Sequence, residues 1–347
     1  MSSKKYDVAV VIGRFQPVHN AHVEMLRRAG EQAERVIVVV GSAHKPRTYK
    51  NPWVSRERAA MLIEATVPLQ KSTGAKYVIE HNRDTIYNDQ AWAVRVQELV
   101  NKNCGPDAKI ALFGHKKDPS SFYLNMFPQW EFVEQELIEN LNATQIRQIY
   151  FSPDTFNFNW FSGVLPDSTI AYLRWFKDSP EYRTIVREKE FLEKYRKQFE
   201  VLPYPPIFVT ADAVVIQSGH VLMVQRGADP GNGLWALPGG FVNAGTDRSV
   251  EDAALRELRE ETGIKVPEKV LRGSIAGSRV FDAVERSQRG RTITHAFHFS
   301  LQEGEWNLPK VKGADDAERA QWIPIANLNS EEIFEDHYDI IQHFLGR

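Results

Sequence analysis

The sequence predicts an α/β protein of two domains, a doubly wound parallel sheet followed by an α/β/α sandwich. Three observations predict it. Short apolar runs of the buried-strand kind alternate with stretches of helical apolar spacing as far as Val133, the pattern of a parallel sheet covered on both faces. The tract Leu202-Pro203-Tyr204-Pro205-Pro206 then stops regular structure after a heavily charged helical stretch. Beyond it, strand and helix signals begin again with hairpin spacing. Residues 1–200 are therefore read as the first domain, 201–206 as a linker and 207–347 as the second domain.

Val8 to Ile12 is the first strand. Gly13-Arg14-Phe15-Gln16-Pro17-Val18-His19-Asn20-Ala21-His22 breaks it, and helical spacing returns from His22 to Ala29. Val36 to Val40 is a second strand, and Ser55-Arg56-Glu57-Arg58 opens a helix running to about Glu64. Tyr77 to Glu80 gives a third strand, with Asn88 or Asp89 capping the helix after it. Lys109 to Phe113 and Trp130 to Val133 complete the sheet, and Asn142-Ala143-Thr144-Gln145-Ile146-Arg147 starts another helix. Asp167 to Phe176 and Glu181 to Phe199 read as closing helices. In such a sheet ligands gather beyond the C-terminal strand ends, where helix N-termini present N–H groups and a positive dipole end to phosphate.

His19 and His22 lie at that corner, three residues apart and so on one helix face, and Arg14 adds a permanent charge. An isolated pair would be read as histidines satisfying backbone groups; ten positions in a strand–loop–helix context favour a polyphosphate site. The segment resembles the (H/T)xGH signature of the nucleotidyltransferase superfamily, and its GRFQPxHxxH form resembles the archaeal-type nicotinamide mononucleotide (NMN) adenylyltransferases, with Ala21 in place of the usual glycine. Asn142 to Arg147 is similar to the distal ISxTxxR signature, with Ala143 at the serine position. The resemblance implies transfer of AMP from ATP to NMN, giving NAD and pyrophosphate. It implies that Gly13, Arg14, Phe15, His19, His22, Arg47, Thr144 and Arg147 serve the triphosphate, His19, His22 and Arg47 catalytically, and that Asn88 and Trp92 line the nicotinamide pocket. From the residues alone, Arg47 is equally an ordinary solvated loop residue, Arg147 a surface arginine and Trp92 a core side chain.

In the second domain, Phe208 to Gln217 and Val221 to Arg226 are strands around the hairpin signal Ser218-Gly219-His220. Leu237-Pro238-Gly239-Gly240 precedes a helix on which Glu257, Glu260 and Glu261 occupy i, i+3 and i+4. Three like charges on one face repel, so either Arg256 and Arg259 offset them or a hard divalent cation does. Arg256 to Ile264 resembles the REUxEExGU half of the Nudix box. The other half departs: Gly240 stands two residues too far from Arg256, and Arg248 occupies the position of the first glutamate. The resemblance implies a Nudix hydrolase that splits ADP-ribose into AMP and ribose 5-phosphate, with Mg²⁺ (or Mn²⁺) held by Gly239, Glu257, Glu260 and Glu261. Glu257, Glu260 and Glu261 are the expected catalytic residues, and Asp315, Asp316 and Glu318 are candidates for the general base. Arg279, Arg286, Arg289 and Arg291 are either a solvated turn or phosphate contacts.

Forty-three basic against 45 acidic residues give a formal net charge of −2, which disfavours nucleic acid as the main partner. One cysteine, Cys104, excludes an internal disulfide framework, and no apolar stretch reaches membrane-spanning length. The expected setting is cytoplasmic and the expected small-molecule partners are ATP, NMN, NAD and ADP-ribose; a homo-oligomer is compatible with the sequence. The competing expectation is an adenylyltransferase whose Nudix domain senses NAD metabolites without catalysis.

Overall fold

β1 (Tyr6–Gly13) is buried on both faces, Val8 and Val10 facing one core and Ala9 and Val11 the other. The computed structural model describes residues 4–116, 119–136, 142–154, 156–301, 308–313 and 317–346. They fall into two compact units divided between Val186 and Arg187. In the first unit β1 is followed by α1 (Asn20–Gln32), β2 (Ala33–Val40), α2 (Ser55–Thr73), β3 (Lys76–His81), α3 (Asp89–Asn101), β4 (Ile110–Gly114), β5 (Glu131–Glu134), α4 (Ala143–Tyr150) and α5 (Asp167–Lys177). The strands pair in the order β3-β2-β1-β4-β5, all parallel. Leu26 of α1, Leu62 of α2 and Ile146 of α4 pack on one face; Val96 and Leu99 of α3 pack on the other with Phe127 and Trp130. The order reverses between β1 and β4, which puts the ligand crevice beyond their C-terminal ends.

α2 runs past Glu64 to Thr73 although Pro68 lies inside it, because Ala65, Thr66 and Leu69 keep its inner face buried. The division between units falls within α6 (Pro180–Lys197), ahead of the tract 201–206 read as the linker; that tract carries no helix or strand.

In the second unit β6 (Phe208–Gln217) and β7 (His220–Arg226) form a hairpin whose two turn residues, Ser218 and Gly219, have φ of 47° and 70°. That left-handed pair matches the twist of the strands. β8 (Trp235–Ala236), β9 (Gly239–Phe241), α7 (Val250–Thr262), α8 (Glu268–Gly273), β10 (Ile275–Phe281), β11 (Thr292–Ser300), β12 (Ala317–Pro324) and α9 (His337–Phe344) follow. The sheet is mixed, in the order β10-β11-β6-β7-β12, with β8 added on β7 and β9 on β6. α7 packs Ala253, Ala254, Leu255 and Leu258 against Ala211, Ala213, Val215 and Phe299 of the sheet. Its acidic face is thereby turned towards the Gly239–Gly240 loop.

Candidate active sites

At the end of β1 the chain turns through Phe15, whose φ of 52° brings its ring over Gly13; a Cβ on Gly13 would lie 3.0 Å from that ring. His19 is the N-cap of α1. Its N–H donates to Nδ1 of His22 at 3.3 Å, and the two rings stack with centroids 3.6 Å apart. An accepting Nδ1 carries no proton, so the proton of neutral His22 sits on Nε2. Burial, reinforced by His19, holds the His22 pKa well below the ordinary histidine value. Near neutral pH His22 thus offers a hydrogen-bond donor and no charge. Ala21 lies inside α1, where alanine is the most favourable residue, so the departure from glycine leaves the histidine geometry intact.

Three guanidinium groups surround this corner. Arg14 is exposed at the loop. Arg147 is buried and donates to the Gln16 carbonyl at 2.9 Å and to Thr144 Oγ1 at 3.2 Å, while burial and then Arg14 push its pKa down to about 10. It is therefore no surface arginine: it ties α4 to the first motif. Arg58 is fully buried and donates to the carbonyls of Trp53, Arg14, Gly41 and Ser42, stitching the loops after β1 and β2 together. Burial pushes its pKa down to about 10 as well. In both cases burial is the foremost cause, with the neighbouring Arg14 charge adding to it.

Arg47 departs from expectation. Its guanidinium forks onto Glu57 at 2.6 and 2.7 Å and onto the Pro52 carbonyl, and Glu57 outweighs the effect of burial to hold its pKa up. A charge paired this way is not presented as an open phosphate contact. Thr144 is exposed at the first turn of α4, its own N–H taken by Asn142 Oδ1. Asn88 Oδ1 caps α3 by accepting from Ala91 N–H, and half-buried Trp92 meets Tyr123 and Phe127 at 5.7 and 6.0 Å. Sequence reasoning missed Arg58, which it took as a helix opening, and Asp84. Asp84 accepts from Ser42 N–H and Oγ–H at 3.1 and 2.6 Å, with Lys45 at 3.4 Å. Burial would raise its pKa; Lys45 and Ser42 outweigh burial and lower it. The available signal was an acidic residue just beyond a strand end.

In the second unit Glu261 is buried and accepts from Gly239 N–H at 2.9 Å. Gly239 is required as glycine, since a Cβ there would sit 2.3 Å from Asp212 Oδ1 and 2.6 Å from the Ala211 carbonyl. A Cβ on Gly240 would press on the Glu257 carboxylate, 2.4 Å from Oε1. Arg256 bonds Glu257 at 2.8 Å and Glu260 at 3.0 Å. Among the described residues no three His, Cys, Asp or Glu side chains are placed to share an ion, so the set expected at Gly239, Glu257, Glu260 and Glu261 is not assembled in this arrangement. Helix geometry gives the reason: Glu260 and Glu261 diverge by about 100° around the axis, leaving Glu260 half-exposed on Arg256 while Glu261 turns inward. The donors nevertheless suit a hard divalent cation, with the carboxylates of Glu257 and Glu261 lying against the Gly239–Gly240 backbone.

Asp247 explains the irregular box. Its carboxylate takes Arg256 in a fork of two 2.9 Å bonds and accepts from Asn243 N–H at 2.7 Å. Arg256 lowers its pKa foremost. The loop is thus closed by an acid one position ahead of Arg248. The cleft beside it is lined by Asp212, Arg226, Phe241, Glu261, Arg286 and Arg289, among others. Arg286 is not a solvated turn: it forks onto Asp336 at 2.8 Å in a fully buried pair, and Arg289 lies over the Phe241 ring at 5.0 Å. Glu318 is exposed and off the cleft lining, and Asp315 and Asp316 lie outside the described residues.

A cationic crevice at a parallel-sheet edge and a carboxylate helix behind a Gly-Gly loop define a protein with two phosphate-directed sites. The model of the cytidylyltransferase-like family matches residues 10–215 and that of the NUDIX domain matches residues 206–344. The chain is 37% identical over 195 residues to the nicotinamide/nicotinic acid mononucleotide adenylyltransferase of Acinetobacter baylyi, covering 56% of this chain and 96% of that protein. It is similar to the crystal structure of a bifunctional NMN adenylyltransferase/ADP ribose pyrophosphatase from Francisella tularensis, with a TM-score of 0.88 and 35% identity over 99% of both chains. A structure of the Francisella enzyme complexed with AMP and Mn ion gives a TM-score of 0.86 and 33% identity over 98% of this chain and 99% of that one. The chain belongs to the cytidylyltransferase-like family, among the bifunctional NMN adenylyltransferase/ADP-ribose pyrophosphatases.

Proposed function

We propose that the first unit joins NMN to the AMP moiety of ATP and that the second hydrolyses ADP-ribose to AMP and ribose 5-phosphate. The observation that carries the reading is the stacked His19–His22 pair, with its neutral Nε2 donor, set among Arg14 and Arg147. The NMN phosphate attacks the α-phosphorus of ATP and pyrophosphate leaves, with no covalent enzyme intermediate. Such a step needs positioning and neutralisation of developing charge more than a side-chain nucleophile. His22 donates to a phosphate oxygen, Arg14 and Arg147 balance the leaving pyrophosphate, and the α1 N-terminus adds its dipole. Asn88 and Trp92 flank the proposed nicotinamide site. Arg47 acts by holding Glu57 and the α2 N-terminus.

In the second unit Glu257, Glu260 and Glu261 with the Gly239 carbonyl are the residues proposed to hold Mg²⁺ or Mn²⁺. A bound ion would neutralise the pyrophosphate linkage and lower the pKa of the attacking water. Similarity along the whole chain to a bifunctional enzyme disfavours a non-catalytic sensor domain. No helix among the described residues is long and apolar enough to cross a membrane. The single cysteine supports a cytoplasmic setting, and the near-zero charge supports small-molecule rather than nucleic-acid partners. Incubating the protein with ATP, NMN and Mg²⁺, and separately with ADP-ribose and Mn²⁺, tests the reading: NAD and AMP respectively are expected, and absence of either product removes that half.

A further inference from the structure

The chain leaves β8 at Ala236, where its pairing with β7 ends, and rejoins the sheet only at Gly239, the start of β9 on β6. Its next N–H groups need new partners. Gly239 N–H finds Glu261, and the Pro238 carbonyl accepts from Ala213 N–H at 2.8 Å. Leu237 N–H, buried and beyond the ladder, donates to Nδ1 of His337 at 2.8 Å. His337 is the first residue of α9, buried against Phe334, and its neighbour Asp336 is locked by the buried fork from Arg286. Phe334 N–H also donates to the Trp235 carbonyl at 2.8 Å. The segment from Ile333 to His337 therefore grips the loop at two points, just before and just after the end of β8.

We propose that His337 is a positioning residue for the second site: its unprotonated Nδ1 fixes Leu237 and through it the placement of Gly239 against Glu261. The proposal rests on the reading of the second unit as an ADP-ribose hydrolase. His337 touches no reacting atom. Its ring lines the cleft, and the bond it accepts comes from the backbone of Leu237, two residues ahead of Gly239. Without an acceptor there, a buried N–H is left unpaired and the loop moves to find water. Groups behind a metal site typically matter by ~10- to 100-fold in affinity or rate, so a sub-ångström shift of Gly239 is enough to be read.

The test compares His337→Leu, which keeps volume without an acceptor, with His337→Asn, whose Oδ1 falls near the position of Nδ1. Expected for His337→Leu is a kcat for ADP-ribose lower by about tenfold, KM changed less than about twofold, and Mn²⁺ binding, followed by the EPR signal of the free ion, weakened in parallel. His337→Asn restores both, and NAD synthesis is unchanged in each. Equal kcat and Mn²⁺ affinity in the Leu variant and the parent overturn the proposal, as does a folded Asn variant as impaired as Leu. Should His337→Leu fail to fold, His337→Gln, whose acceptor is displaced, replaces it: Gln must be impaired and Asn must not. A parent protein that does not hydrolyse ADP-ribose at all would instead sink the underlying functional reading.

Discussion

His22 shows how a side chain becomes functional through a bond it accepts. Because His19 N–H occupies Nδ1 and burial keeps the ring neutral, the Nε2 proton is the group on offer. His22→Ala removes that donor, and loss of one preorganised donor costs roughly 10²- to 10³-fold in kcat. NAD formation from ATP and NMN should fall by that order in a steady-state assay, with His22→Gln, which keeps an amide donor, retaining more; unchanged turnover in His22→Ala would refute the role. Glu261→Gln leaves an acceptor for Gly239 N–H but removes one of the three carboxylate charges proposed for the cation. AMP release from ADP-ribose should drop by at least about tenfold while calorimetry shows weaker Mn²⁺ binding. The positions of the motif histidines and the helical glutamates, at a strand end and on one helix, were legible because each motif lies within a few residues of sequence; their roles are our proposal. Arg47 was not legible, since its pairing with Glu57 arises only when the loop after β2 folds back on α2. Arg58 and Asp84 were hidden for a related reason: their partners are carbonyls and hydroxyls of other loops.

At the scale of elements, the first sheet with its helices, the β6–β7 hairpin and α7 follow from sequence signals, with ends displaced by a few residues where packing overrides a local signal, as at Pro68, whereas the short or weakly patterned β8, β9, β10, β12, α8 and α9 were not read from the sequence. The Nudix loop is the instructive case. Sequence spacing made it look interrupted, with Arg248 in place of a glutamate and two residues inserted. In space, Asp247 reaches Arg256 by two bonds and closes the loop. What the chemistry requires is a carboxylate at a point, and an inserted loop can deliver one from a neighbouring position. Asp247→Ala should leave Arg256 to Glu257, Glu260 and the Phe241 carbonyl, lowering ADP-ribose hydrolysis by about tenfold, as removal of outer-sphere supports does. Arg248→Ala should leave it nearly unchanged. The reverse ranking in a kinetic comparison of the two variants would show that Arg248 governs the loop.

For the whole molecule, each unit holds partly or fully buried histidines whose pKa values are lowered, by burial foremost: His22 and His81 in the first, His298 and His337 in the second. The unfolded chain binds protons at these positions below about pH 6.5 and the folded chain does not, so stability is lost as pH falls through that value. Thermal unfolding followed between about pH 8 and pH 5 should show Tm falling on the acid side; a Tm that rises there would contradict the neutral histidines. The central claim is that one chain carries two separate phosphate-directed sites, one cationic and one carboxylate. It is tested most directly by measuring NAD synthesis and ADP-ribose hydrolysis side by side on the parent, His22→Ala and Glu261→Gln. The account predicts that each substitution lowers its own reaction by at least about tenfold and leaves the other within about twofold of the parent. Loss of both reactions in either folded variant, or of neither, would contradict it.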